Sequence, residues 1–158
     1  MVYALFSVDW EADHGHWQHS AVEEDFGGVL VGTGGLWEIL DEMDIPCTWF
    51  VETHAEYAAR DLPQRFPEQV RALADRPRDE IGCHIHWARR SEPGEPEEYP
   101  LDDTDWIDSQ VAAARKVFTK LAVQPVSFRG GAFLPVPALP YILERHSFRI
   151  DSTAFDNN

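Results

Sequence analysis

Positive charge is scarce in this chain. Lys and Arg number 13 against 28 Asp and Glu, a formal net charge of −15 over 158 residues. Such a surface repels phosphate backbones and anionic headgroups, which argues against nucleic acid and lipid as partners. Long apolar runs are missing as well, and none approaches the length that spans a bilayer, so membrane insertion is not expected. The opening Met1-Val2-Tyr3-Ala4-Leu5-Phe6 carries no basic residue and meets Asp9 too soon for a secretory leader. A cytoplasmic location is the expectation. Cysteine is limited to Cys47 and Cys83, each inside an apolar run, which reads as two buried, reduced thiols. There is no Gly-Lys-Ser/Thr loop and no GxGxxG opening a helix. The glycines at 27, 28, 32, 34 and 35 therefore read as part of a flexible connecting loop over Ser20 to Gly35.

What is present is core-forming material. Hydrophobic residues make up 44% of the chain, enough for one globular domain over residues 1–158 with no internal repeat or linker. Apolar strand-like runs occur at Val2 to Val8, Cys47 to Val51, Ile81 to Ile85, Pro125 to Phe128 and Phe148 to Thr153. The first of these reads as fully buried. Helical spacing separates them: Leu36, Ile39, Leu40 and Met43; Phe66, Val70 and Leu73 within about Pro63 to Ala74; then Ile107 to Leu121 behind an Asp105 N-cap; and Pro137 to Arg145. Ser91 to Pro100, rich in Pro, Glu and Gly, reads as an exposed loop. Strands alternating with helices predict an α/β fold with a parallel sheet or barrel.

In such folds reactive groups collect where the strands end, because the loops there share one mouth. The strand ends carry Asp9 and Glu11, His54, His84 and His86, Arg129, and Asp151. His84 and His86 alternate with Cys83 and Ile85, so a strand turns both imidazoles to one face, close enough to converge on an ion. His-x-His alone is a weak motif, and solvent-facing histidines are its ordinary explanation. The recurrence of ionisable residues at successive strand ends is what points to a metal-dependent active site. A carboxylate with two imidazoles leaves positions open on a divalent ion, as in catalytic zinc sites. Such an ion acidifies water and polarises a carbonyl. A second carboxylate held off the metal can serve as general base, with an arginine to orient it. Trp10, Trp17 and Trp87 lie near the same mouth and offer rings for stacking on sugars, although Trp is more often core.

These residues, in this order, resemble the polysaccharide deacetylases of carbohydrate esterase family 4, the NodB homology domain. The stretches concerned are Phe6-Ser7-Val8-Asp9-Trp10-Glu11, Leu36 through Val51, Glu80-Ile81-Gly82-Cys83-His84, Ser127-Phe128-Arg129-Gly130-Gly131-Ala132-Phe133 and Phe148-Arg149-Ile150-Asp151-Ser152. The resemblance implies a distorted or incomplete (β/α) barrel of the NodB deacetylase type. It also implies metal-dependent hydrolysis of an N-acetyl or related amide on a sugar or glycan. Carried over, Asp9 is the general base, Arg129 its partner, His84 a metal ligand and Asp151 part of a supporting shell. The ion it implies is zinc, with cobalt or nickel as alternatives.

Departures from the family pattern shape the remaining expectations. Trp10 stands where a second aspartate is usual, so the carboxylate ligand is Glu11 or Asp13, with Glu11 at the spacing of variant members. The usual second histidine position holds Ala88, leaving His86 as the substitute. The proline of the arginine motif is absent, which bears on Gly131-Ala132 as an oxyanion donor. The sequence stops soon after Asp151, before the strands and late histidine that the family adds. A fragment of a longer enzyme, or a shortened barrel completed by a homo-oligomer, would account for that. His146 reads as a surface histidine at a helix end, and His14, His16 and His19 as weak replacements for the missing acid. The alternatives to an active deacetylase are an inactive carbohydrate-binding relative and a metal-binding scaffold without sugar chemistry.

Overall fold

The computed structural model describes residues 5–12, 26–89 and 98–153. Asp13, His14, His16, Trp17, His19, most of the Ser91 to Pro100 loop and the last residues of the chain lie outside the described residues. Five strands, β1 (Phe6–Trp10), β2 (Cys47–Glu52), β3 (Glu80–Ile85), β4 (Ser127–Gly130) and β5 (Ile150–Asp151), lie side by side in chain order. Every neighbouring pair is parallel. An order that never reverses is the pattern of a barrel, whereas a doubly wound sheet changes direction at a switch point. No pairing joins β1 to β5 among the described residues, so the barrel is open on that side.

The register sorts the strand residues onto two faces. Trp10, Val51 and Cys83 lie in one row, and Cys83, Phe128 and Asp151 continue it. With Val8, Trp49, Ile81 and Ile85, all of these except the exposed Asp151 form the apolar face, against which the helices place Leu40, Val70, Leu73, Ile107, Val111 and Phe118 in one core. The opposite face carries Ser7, Asp9, Phe50, Glu52, Gly82, His84, Ser127 and Arg129. That face is the interior of the incomplete barrel, and it is polar toward the strand ends.

Several elements differ from the sequence-based expectations. β1 runs through Asp9 to Trp10, because Trp10 enters the core at 3% exposure and donates its Nε1–H to Thr33 Oγ1 at 2.8 Å. It is an edge strand, with Phe6 42% exposed, rather than a fully buried one. The described part of the glycine-rich stretch is helical, not a flexible loop. A π-helical turn at Gly28–Gly32 runs into α1 (Thr33–Glu42). Each glycine costs a helix about 1 kcal/mol against alanine, and burial of Phe26, Val29 and Leu40 on one side offsets it. The helix expected over 63–74 is two, α2 (Leu62–Arg65) and α3 (Pro67–Ala74). Pro67 lacks the N–H that continuation would need, but suits a first turn. The N-cap of α4 (Thr104–Lys120) is Asp103, whose carboxylate accepts from Trp106 N, and not Asp105. The last helix, α5, spans Leu139–Arg145. No helix of the described residues is long and apolar enough to cross a membrane.

One buried carboxylate ties the lower ends of the strands together. Asp79, just before β3, accepts from Cys47 N at 3.1 Å and from Trp49 Nε1 at 2.8 Å. Its second role is an ion pair with Arg76 Nε at 2.6 Å, and Arg76 reaches on to Asp41 at 2.6 Å. Its side chain is 2% exposed. Burial opposes its charge, but the bonds from Trp49, Arg76 and Cys47 outweigh that and lower its pKa below the usual carboxylate range. Replacing Asp79 by Ala leaves Trp49 Nε1 and Cys47 N without acceptors, and is expected to cost about 2–3 kcal/mol. Since the folded pKa is depressed, the Asp79 contribution is complete above the ordinary aspartate range and lost as pH falls below it. Urea titrations of wild-type and Asp79→Ala protein should therefore differ at pH 7 and converge in strong acid.

Candidate metal centre

Glu11, His84 and His86 meet at the upper end of the sheet. Glu11 Oε2 lies 2.7 Å from His86 Nε2 and 3.2 Å from His84 Nε2, and the two Nε2 atoms are 3.1 Å apart. Their rings stand at 90° with centroids 4.8 Å apart. Side-chain exposure falls from 25% at Glu11 to 15% at His86 and 2% at His84, so the cluster opens to solvent on the Glu11 side. The sheet explains the convergence. His84 is the fifth residue of β3 and His86 the first beyond it, two residues on along the same face. Glu11 follows β1 directly, two residues past Asp9 on that face.

The hydrogen bonding leaves lone pairs pointing at one place. His84 Nδ1 lies 2.9 Å from the Arg129 carbonyl oxygen, which can only accept. Nδ1 therefore carries the hydrogen, and in the neutral ring Nε2 is bare. Bare Nε2 facing a carboxylate oxygen is two acceptors in contact, an arrangement that a proton or a cation reconciles. Ligands about 2.0–2.1 Å from a tetrahedral zinc lie roughly 3.3 Å from one another. The observed separations of 2.7–3.2 Å need only a small outward shift to reach that. The donor set of two imidazoles and one carboxylate fits a divalent ion with a coordination position left open.

Beside this cluster sits an acid–arginine pair. Arg129 Nη1 donates to Asp9 Oδ1 at 2.6 Å, and Nη2 donates to Ser7 Oγ and Ser152 Oγ, each at 3.0 Å. The guanidinium also lies 4.0 Å from the centroid of the Phe50 ring, a cation–π contact on its remaining face. Gly82 makes room for that ring, since a Cβ there would fall 2.5 Å from Phe50 Cδ1. Arg129 thus has its position set from three strands and the turn after β5. Ser7, Phe50, Gly82 and Ser152 are the positioning residues that sequence reasoning missed. A glycine inside a strand is a signal of close approach and could have exposed one of them.

Gly131 does for His86 what Gly82 does for Phe50. A Cβ on Gly131 would lie 2.5 Å from both Cγ and Nδ1 of His86. The two residues that follow, Ala132 and Phe133, both have φ of 52°, a left-handed conformation costing about 1–2 kcal/mol per non-glycine residue. The Gly131-Ala132 segment considered as an oxyanion donor lies at this strained turn.

Other expected residues stand apart from the cluster. Asp151 faces the other side of the sheet, in the row of Cys83 and Phe128, and its Oδ1 accepts from Thr153 N at 2.9 Å. Its neighbour Ser152 is the one that reaches Arg129. His54 is buried beyond β2, where Nδ1 accepts from Glu56 N and Tyr57 N at 3.2 Å each. Burial, then the nearby Arg60 charge, push its pKa down to about 4, against weaker opposing effects from the Ala88 backbone and Glu56. It is a neutral turn-holding residue. Trp10 and Trp87 are 3% and 0% exposed, so neither presents a face for stacking on a sugar. Trp87 instead stacks on Phe128 at 5.8 Å. Ala88 is buried, and His146 caps α5 and lies 2.8 Å from Asp108.

Gly131 does not have a positive φ, so alanine there costs space and nothing else. Gly131→Ala is expected to push His86 out of the cluster and weaken cobalt binding about 10-fold, in the range of disturbed ligand support. Titration of the cobalt absorption bands measures this, with the melting temperature as the control for fold.

No protein-family model matches the chain, and no curated protein does. Solved structures do. A candidate polysaccharide deacetylase from Mycobacterium smegmatis is similar over 78% of this chain, with a TM-score of 0.57 and 27% identity. IcaB from Ammonifex degensii is similar over 77%, with a TM-score of 0.55 and 12% identity. The chain spans 38% and 54% of the lengths of those two structures. The sheet order, the polar interior face and these likenesses agree: the described residues form an open (β/α) barrel with the polysaccharide deacetylase fold.

Proposed function

We propose that this protein is a metal-dependent hydrolase that removes an N-acetyl or related acyl group from a sugar or glycan. The observation that carries the reading is the placing of a two-histidine, one-carboxylate cluster beside an arginine-held aspartate, at the end of the sheet where such barrels do their chemistry. The structural likeness to a candidate polysaccharide deacetylase supports the substrate class. Glu11, His84 and His86 would hold a divalent ion, zinc being favoured by nitrogen ligands in an open three-residue site. When bound there, such an ion acidifies water and polarises the amide carbonyl.

The remaining work falls to residues of the chain. Asp9 is the general base. Arg129 occupies Oδ1, so Oδ2 is the oxygen that takes the proton from the attacking water. Arg129, pinned by Ser7, Ser152 and Phe50, keeps that carboxylate from swinging toward the histidines. The Arg129 carbonyl keeps the hydrogen of His84 on Nδ1 and its lone pair toward the site. One observation favours the alternative, a glycan-binding relative without turnover: Asp151 accepts from Thr153 N on the far face of the sheet and, among the described residues, makes no hydrogen bond to the cluster.

Elemental analysis of protein purified without chelator should find about one equivalent of a divalent metal, lost in His84→Ala. Asp9→Asn should keep the metal and lower acetate release from N-acetylglucosamine oligomers by about 10²–10⁴-fold. A wild-type chain that takes up no zinc, cobalt or nickel would overturn the hydrolase reading. Metal uptake with glycan binding and no acetate release would give the alternative.

A further inference from the structure

Glu52 is a carboxylate with no exposure at all, at the last position of β2. The register places it in one row with His84 and Arg129, on the interior face of the sheet. A charge in that position is costly unless paired: Oε1 faces a guanidinium as an ion pair without an aligned hydrogen bond, and Oε2 accepts a backbone N–H. Oε1 lies 2.6 Å from Arg60 Nη2 in the turn after β2. Oε2 accepts from Ala12 N at 3.2 Å.

The second bond touches the site. The β1–β2 ladder ends at the pair Trp10 and Val51, so Glu11 and Ala12 lie past the last strand pairing. The backbone immediately after Glu11 is held by the Glu52 side chain in place of a strand. Ala12 is itself 1% exposed, so the anchor is packed as well as bonded. A buried ion pair is in general poor value for stability compared with apolar residues of the same volume. Arg60 balances the charge, and what the carboxylate accomplishes is to fix one particular N–H.

We infer that Glu52 is a positioning residue for the metal centre, which sets the direction of the Glu11 carboxylate by anchoring the amide of Ala12, with Arg60 as its counter-charge. This rests on the metal-centre reading above for its functional meaning, while the anchor itself is a property of the metal-free chain. Glu52 does not enter the cluster. Its effect on metal binding passes through the Glu11 backbone.

Two double variants isolate the anchor. Glu52→Leu with Arg60→Met removes charge and acceptor together. Glu52→Gln with Arg60→Met removes the charge but keeps an oxygen for Ala12 N. Amide hydrogen exchange at Ala12 in the metal-free protein is expected to speed up at least 10-fold in the Leu/Met chain and to stay within about threefold of wild type in the Gln/Met chain. Zinc affinity should fall about 10–100-fold in the Leu/Met chain, the range found when ligand support is removed. The cobalt absorption spectrum should shift with it, and both should recover in the Gln/Met chain. Equal exchange and equal zinc affinity in all three folded proteins would overturn the inference, as would a Gln/Met chain as impaired as the Leu/Met one. If the Leu/Met chain does not fold, a Gln/Met chain with wild-type Ala12 protection supports the inference, and one without it overturns it. If wild-type protein binds no metal, the hydrolase reading fails on its own, and the exchange rates still decide whether Glu52 is the anchor.

Discussion

Arg129 is the residue on which the site depends, because it acts through two unconnected parts of itself. Its backbone oxygen accepts from His84 Nδ1 at 2.9 Å, and its guanidinium grips Asp9 at 2.6 Å. The first contact directs a lone pair toward Glu11 and His86. The second points a carboxylate. A single backbone position on β4 therefore sets the relative placement of the histidine cluster and the acid. Side-chain substitution of Arg129 would leave the carbonyl contact in place, so the two functions are separable in principle even though one residue supplies both.

The barrel keeps durability and chemistry at opposite ends of the same strands. At the lower end, Asp79 satisfies Cys47 N and Trp49 Nε1 and draws in Arg76 and Asp41. At the upper end, charged groups face a partly open interior and the chain after β4 takes a strained course. Changes at the lower end act mainly on the folded population. Changes at the upper end act mainly on geometry. This division is general in such barrels, and it is what allows a site with so many ionisable groups to exist on a marginally stable fold.

Much of this was legible in the amino-acid order, and the reasons differ by element. A continuous apolar run marks β2 and the alternation of Ile81, Cys83 and Ile85 with Gly82 and His84 marks β3, because both are central strands buried among their neighbours. The order of strands follows from the alternation of strand and helix. Glu11, His84 and His86 come together as expected, since period-two geometry requires only that β1 and β3 reach the same height. The edges were less readable. β1 extends to Trp10 because of one buried indole, and the glycine-rich stretch is helical because of apolar neighbours. Both are tertiary effects that override local preference. Asp151 was placed at the site by its strand-end position and by resemblance, but a strand puts adjacent residues on opposite faces, and Ser152 is the one facing Arg129. Glu52 gave no signal of its own, because a carboxylate after an apolar run looks like the start of a loop.

The sequence separations across the site have a consequence for how it comes into being. Glu11 and His86 are 75 positions apart, and Asp9 and Arg129 are 120 apart. Contacts of that span appear late, after the loop-closure entropy of the intervening chain has been met. During synthesis, β1 to β3 can pair while Arg129 is still to be made, so a nascent chain holds Glu11 and both histidines without the carbonyl that orders His84. An ion captured at that stage would meet a site whose imidazoles still rotate and whose Asp9 carboxylate has no guanidinium to point it. The finished geometry is thus a property of the fourth strand's arrival, and loading the centre before that event or after it are physically different processes.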